Sequence, residues 1–264
     1  TMNILKAVTV AGINGRDVDE VMCSGKNVIS LDNPGALVRG LKITGGIRGV
    51  LILEKGGVVE DCIVENNGDN GSYTCGGGVY MSSDDAIVRR TIIRKNLIGS
   101  GENYHGGGGV FIKNGILESC IVAENSGLAA GDGVFVYSSA AKVRNCTIAN
   151  NKHTNNRVGG GLYLYEAGAE IVNTLVYGNK YKETDIVRNW YALYNEITNA
   201  DGVKEKIPSF SVDELKEALS SCVFGEANNE KYWDIPEGCS ARIIPAGELG
   251  VADDGSYRLE KDTP

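Results

Sequence analysis

Two histidines, His105 and His153, are the only imidazoles in this 264-residue chain. Both fall in polar stretches between apolar segments: "LIGSGENYH" (97–105) carries Glu102, Tyr104 and His105, and "KHTNNRV" (152–158) carries Lys152, His153 and Arg157. Glu102, His105, Lys152 and Arg157 are the residue types that acid–base work on a polysaccharide requires. A lyase needs a base for the proton alpha to a uronate carboxylate and a cation for the developing charge; a glycosidase needs two carboxylates about 5–9.5 Å apart. The histidines could instead be a metal pair, but no third ligand accompanies them, and solvated loop histidines are the plainer reading. Tyr80, Phe111, Phe135, Tyr137, Tyr163 and Tyr165, joined by Tyr104 and His153, make a second set, suited to stacking on sugar rings.

The elements that must position these residues come from a repeat. "GALVRGLKITGG", "GGVVEDCIVENN", "DDAIVRRTIIRKN", "NGILESCIVAEN", "AAKVRNCTIANN" and "AEIVNTLVYGN" are six versions of one pattern. Their leading aliphatics, Val38, Val59, Val88, Leu117, Val143 and Ile171, are spaced by 21, 29, 29, 26 and 28 residues. Three positions on stand Leu41, Cys62, Thr91, Cys120, Cys146 and Thr174; at position eight stand Gly46, Asn67, Asn96, Asn125, Asn151 and Asn179. A further strand, "GVLIL", "GVYMS", "GVFIK", "GVFVY" or "GLYLY", precedes each later copy. Two or three short strands per unit, with no helical periodicity between them, predict an all-β chain: a single-stranded parallel β-helix with coils about 4.8 Å apart.

In such a prism the asparagines would pass amide hydrogen bonds from coil to coil and tolerate the left-handed backbone of a sharp corner. Glycines would mark a second corner with no room for a Cβ. Cys62, Cys120 and Cys146 fall in an inward column and read as buried small hydrophobes rather than reactive thiols. Seven cysteines, odd in number and without CxxC spacing, signal neither a disulfide framework nor zinc; Cys222 and Cys239 are the pair worth testing for a disulfide. Arg39, Glu60, Arg89, Glu118 and Arg144 form an outward row of alternating sign. Alternation also turns Leu51, Tyr80, Phe111, Phe135 and Tyr163 outward, and on another strand Ile63, Ile92, Ile121 and Leu175. Stripes this apolar are either covered by the remaining chain or are binding surfaces.

The recognisable repeats occupy residues 35–180, and residues 1–34 supply the first coils. After Asn179 the periodicity stops, so residues 181–264 are expected to cap or flank the last coil. Ser211 and Glu214 form a capping box at the start of a short helix carrying Val212, Leu215, Ala218 and Leu219. The formal charge of -8 and a pI near 5.0 disfavour nucleic acid and anionic membranes as partners. No run approaches the roughly 20 apolar residues of a membrane span. The opening "TMNILKAVTV" is strand-like rather than a signal peptide, as expected of a mature or trimmed chain. With 36 glycines and 5 prolines the chain is rich in turns without being collagen-like.

The ordered series "AVTVAGING", "GALVRGLKITGG", "GGGVY", "VRNCTIANN", "GGGLYL" and "VNTLVYGN", closed by "DGSYRLEKDTP", resembles the secreted right-handed parallel β-helix proteins of the pectin-lyase-like superfamily. Within them it is most similar to the bacterial surface proteins with a choice-of-anchor β-helix region, akin to polymorphic outer-membrane protein repeats. The likeness covers roughly residues 7–180 and the last ten. It implies a location outside the cell or on its outer surface. Lyases of that superfamily use clustered acidic Ca²⁺ ligands with an Arg or Lys base, and hydrolases use grouped aspartates; no such cluster stands on any strand here. The expectation is therefore a module without cofactor or metal that binds a polysaccharide or another cell-surface ligand, adhesin-like. The alternatives are a lyase or glycosidase working from the loops, with Ca²⁺ only in the lyase case, and a structural spacer.

Overall fold

Parallel coils stack in register along the chain. The computed structural model describes residues 1–69, 75–99, 106–128, 130–154, 160–166, 168–181, 190–192, 194–198, 204–208, 211–225, 242–244, 249–251 and 257–259. One wall is built by Arg48–Ile52, the start of Val79–Arg89, the start of Val110–Glu118, Val134–Val136 and Leu162–Leu164. A second wall uses Leu37–Arg39, Gly57–Glu60, the far ends of the two long strands, Ala141–Arg144 and Glu170–Val172. The third runs from Glu20–Met22 through Ile63–Glu65, Ile92–Arg94, Ile121–Ala123 and Thr147–Ala149 to Leu175–Tyr177. A narrow strip along the loop edge pairs Leu97–Ile98, Ser126–Gly127, Lys152–His153 and Lys180–Tyr181. Like therefore stacks on like: Val59, Val88, Leu117, Val143 and Ile171 form one fully buried column.

The asparagine column is a continuous ladder. In Asn67, Asn96, Asn125 and Asn151 the Nδ2 donates to Oδ1 of the next asparagine at 2.9–3.0 Å and to a carbonyl of the coil before, Ile43, Val64, Ile93 or Val122, at 2.9–3.0 Å. Each accepting Oδ1 also takes the backbone N–H of the preceding asparagine. Facing them stand Gly49, Gly78, Gly109 and Gly133, where a Cβ would come within 2.9 Å of the amide nitrogen. The expected corner without room for a side chain is thus the space the asparagines fill. The left-handed residue is the one before each asparagine, not the asparagine itself: Asn66, Lys95, Glu124 and Asn150 have φ of 53–56°. A second left-handed corner, at Asp61, Arg90, Ser119, Asn145 and Asn173, turns the chain between the second and third walls.

That second corner explains the cysteine column. Cys62, Cys120 and Cys146 are buried as expected, and the Cys62 thiol is pushed up to about 11 by burial. Each thiol lies 3.1–3.2 Å from the carbonyl two residues back, across the left-handed turn, and the hydroxyls of Thr91 and Thr174 donate to the same carbonyl position at 2.9 and 3.0 Å. Cys and Thr share this column because both offer a small donor at one place. Cys222 continues the column, its sulfur 3.2 Å from the Ile171 carbonyl; Cys239 lies outside the described residues.

Outside, Arg39, Glu60, Arg89, Glu118 and Arg144 fall in one register row. Glu60 accepts from both Arg89 and Arg90 at 2.7–2.8 Å; burial raises its carboxyl pKa, but the two guanidinium groups outweigh that and hold it below the usual carboxylate range. Arg144 pairs with Glu170, from the neighbouring column, at 2.6 Å. Past residue 180 the coils continue. Trp190–Ala192 pairs with Leu162–Leu164, Leu219–Ser220 with Ile171–Val172, Val223–Gly225 with Leu175–Tyr177, and Arg242–Ile244 adds to Val223–Gly225. The tail covers the last coil by prolonging its sheets. The helix Val212–Ala218 opens with the expected capping box, Ser211 N donating to Glu214 Oε2 at 2.7 Å and Glu214 N to Ser211 Oγ at 3.2 Å.

Asn125→Ala removes four ladder hydrogen bonds and strands the Asn96 amide, so urea unfolding should show a loss of about 2–4 kcal/mol; an unchanged midpoint would contradict the ladder's role. Cys120→Thr keeps the corner donor and should cost under about 1 kcal/mol, whereas Cys120→Ala should cost about 1–2 kcal/mol more than that. Equal stability of the two variants would show that the corner donor contributes nothing there.

Candidate functional site

Alternation does turn Tyr80, Phe111, Phe135 and Tyr163 away from the prism, and register stacks them face to face. Ring centroids are 5.2, 5.1 and 5.0 Å apart along the series, with interplanar angles of 2°, 15° and 27°. Outward does not mean exposed, however. Phe111 is 4%, Phe135 0% and Tyr163 3% accessible, so these three are not available as a ligand platform. Their cover is the glycine corners: a Cβ on Gly106 would overlap the Phe135 ring, and one on Gly131 would touch the Tyr163 Cβ. The chain just before each strand supplies this cover, and the C-terminal strand Trp190–Ala192 lies alongside Leu162–Leu164, with Tyr191 in register with Tyr163.

A second rank, Tyr137 and Tyr165, lies over the first. Their rings stack at 5.0 Å and 9°, and Tyr137 tilts against Phe111 at 5.7 Å while Tyr165 stacks on Phe135 at 6.1 Å. Tyr80, Tyr137 and Tyr165 are half-buried and form the accessible fringe of the aromatic block. At its head Arg48 lies over the Tyr80 ring at 5.1 Å and donates to the Cys75 and Gly76 carbonyls. On the third wall Ile63 is buried, and Ile92, Ile121 and Leu175 are half-buried.

Along the loop edge, Glu102, Tyr104, His105 and Arg157 lie outside the described residues. Lys152 and His153 are neighbours on one strand, so their side chains take opposite faces and do not converge. His153 is not a solvated loop histidine. It is fully buried, and its Nδ1 sits 2.7 Å from Oδ2 of an equally buried Asp132. Burial raises the Asp132 carboxyl pKa, with His153 opposing the rise. Among the described residues, Asp132 Oδ1 and His153 Nε2 are buried side-chain atoms without a hydrogen-bond partner. Sequence reasoning placed His153 but missed Asp132. The signal was there: Asp132 takes the position held by Gly77, Gly108 and Gly160 in neighbouring coils, and Gly127 stands between Ile98 and His153 where a Cβ would meet the Asp132 carboxylate.

Among the described residues no three His, Cys, Asp or Glu side chains are grouped to hold a metal ion, and no helix is long and apolar enough to cross a membrane. Stacked parallel coils with ladders of like residues define a β-solenoid. The chain belongs to the right-handed β-helix family, whose model, a right handed beta helix region, matches residues 13–199. No curated protein and no solved structure matches it.

The two ranks of aromatics should separate in thermodynamic tests. Phe135→Ala should lose about 3–5 kcal/mol, as a core cavity does, and Tyr165→Ala only about 1–2 kcal/mol. Similar losses measured by chemical denaturation would mean that the ranks are buried alike.

Proposed function

We propose that this β-helix is a non-catalytic binding module that takes a glycan along the outer aromatic rank, working at the cell surface or outside the cell in the manner of an adhesin. The observation that carries this reading is the Tyr137–Tyr165 stack. Two parallel rings, 5.0 Å apart and half-exposed, are held on a rigid wall by the buried rings beneath them. A saccharide presents flat, weakly apolar C–H faces, and a preorganised aromatic surface meets them without ordering a loop. Tyr80, continuing the accessible fringe one coil before Phe111, and Arg48 beside it would extend the contact with hydrogen-bonding groups.

The inner rank supplies rigidity rather than contact. Residues that converge for catalysis would have to include a base and a partner acid or cation, and Lys152 and His153 face apart on their strand. The resemblance to exported β-helix proteins supports the extracellular placement.

A glycan array probed with the whole chain should show binding that Tyr137→Ala and Tyr165→Ala each weaken about 3- to 10-fold at a temperature where circular dichroism shows both variants still folded. Absence of binding to any neutral or acidic glycan, or binding indifferent to both substitutions, would overturn the proposal.

A further inference from the structure

We propose that Asp132 and His153 form a proton-dependent latch that fastens the glycine corner 130–133 over the aromatic block. Three features single this pair out from an otherwise regular repeat. Asp132 replaces a glycine of its column, Gly127 clears space for the carboxylate, and His153 stands in line with Ile98. A solenoid built of Gly and Ile at these positions would fold with no buried ionisable groups there. Placing two of them at zero exposure, each with an unpartnered atom, is costly unless the pair carries no net charge.

The corner the pair holds is the one that covers the rings. Ala130 bridges to Gly106, which lies on Phe135; Gly131 lies on Tyr163; and the Asp132 carbonyl accepts from Gly109 N at 2.9 Å. Among the described residues, the groups facing the imidazole are few. Asp132 comes from the corner, and the Tyr181 ring comes from the following coil at 6.1 Å. Leu97–Ile98 and Ser126–Gly127 contribute no ionisable group, and Lys152 and Lys180 occupy the alternate positions of their strands. The Gly160 backbone N–H also favours the carboxylate, though less than burial disfavours it.

The sign follows from counting protons. A net-neutral pair holds one proton more than free Asp and His side chains hold at pH above about 6.5. Raising the pH removes that proton and leaves a buried negative charge with no cation facing it among the described residues, so the latch loosens as pH rises. The raised Asp132 carboxyl pKa points the same way: its stabilising contribution is present at low pH and lost on the alkaline side.

The test compares the whole wild-type chain with Asp132→Asn, which keeps the hydrogen bond without the charge, between about pH 5.5 and about pH 8.5. The wild type should lose about 2–4 °C of Tm over that range, together with near-UV circular dichroism from the stacked rings, while the variant shows neither fall. Asp132→Gly combined with His153→Ile restores the residues of the repeat and should also lack the alkaline loss. Parallel pH profiles in wild type and either variant, in Tm and in the aromatic signal, would overturn the latch. Neither readout involves a glycan, so the outcome is independent of the binding proposal.

Discussion

One hydrogen-bonded chain of side-chain amides sets the register on which every other column depends. Asn67, Asn96, Asn125 and Asn151 each pass Nδ2–H to the Oδ1 of the next asparagine, ending at Asn179, and each side chain also ties its own coil to the backbone of the one before. Parallel strands alone could slip by two residues and still bury alternate side chains. An amide at one corner cannot slip, because its carbonyl must meet both a backbone N–H and a neighbouring amide. The facing glycines complete the constraint: Gly78 and Gly109 leave a gap that fits a carboxamide and nothing larger.

Once register is fixed, chemistry is replicated along the axis rather than across the sequence. Val stacks on Val inside and ring on ring outside, and Glu60 meets Arg89 because both stand one place after the leading aliphatic. The same replication accounts for the thiol and hydroxyl column. The left-handed turns at Asp61, Arg90, Ser119, Asn145 and Asn173 open a carbonyl in every coil, and a small donor two residues on closes it. The aromatic block follows too, since rings about 5 Å apart are what a parallel sheet imposes on any repeated outward residue.

Much of this was legible in the sequence because a solenoid writes its columns at a fixed spacing. The β-helix, the inward aliphatics and the asparagine ladder could be read from "NGILESCIVAEN" and its counterparts in the other coils, and the short capped helix from Ser211 and Glu214 in the tail. Accessibility was not legible. Period-two alternation says which side of a wall Phe135 takes, but its burial depends on the path of the chain through Gly106 and Gly131, which strand periodicity does not encode. Cysteine types likewise suggested filling, because hydropathy is blind to a donor at a left-handed corner. Arg144 chose Glu170 over Glu118 for a similar reason: side-chain reach crosses columns, and sequence register does not describe reach.

A repeat also supplies its own control, which makes departures informative. Most coils satisfy the corner before the first wall with glycine, at no electrostatic cost, so the fold does not need Asp132. Nor does it need an imidazole at position 153, where the column accepts Ile98. Two substitutions that would each be harmful alone, a carboxylate without a partner or an imidazole without one, are accommodated together by a third change at Gly127. Random drift in a stacked core favours neutral, space-filling residues, since buried polar groups with unmet hydrogen bonds are destabilising. Asp132, His153 and Gly127 fit one another sterically, and that mutual fit sets this corner apart from its neighbours. Asp132 lies one residue from the glycine that packs on Tyr163 and at the head of the strand Val134–Val136 that leads to Tyr137, which puts the least regular chemistry of the molecule beside its most regular surface.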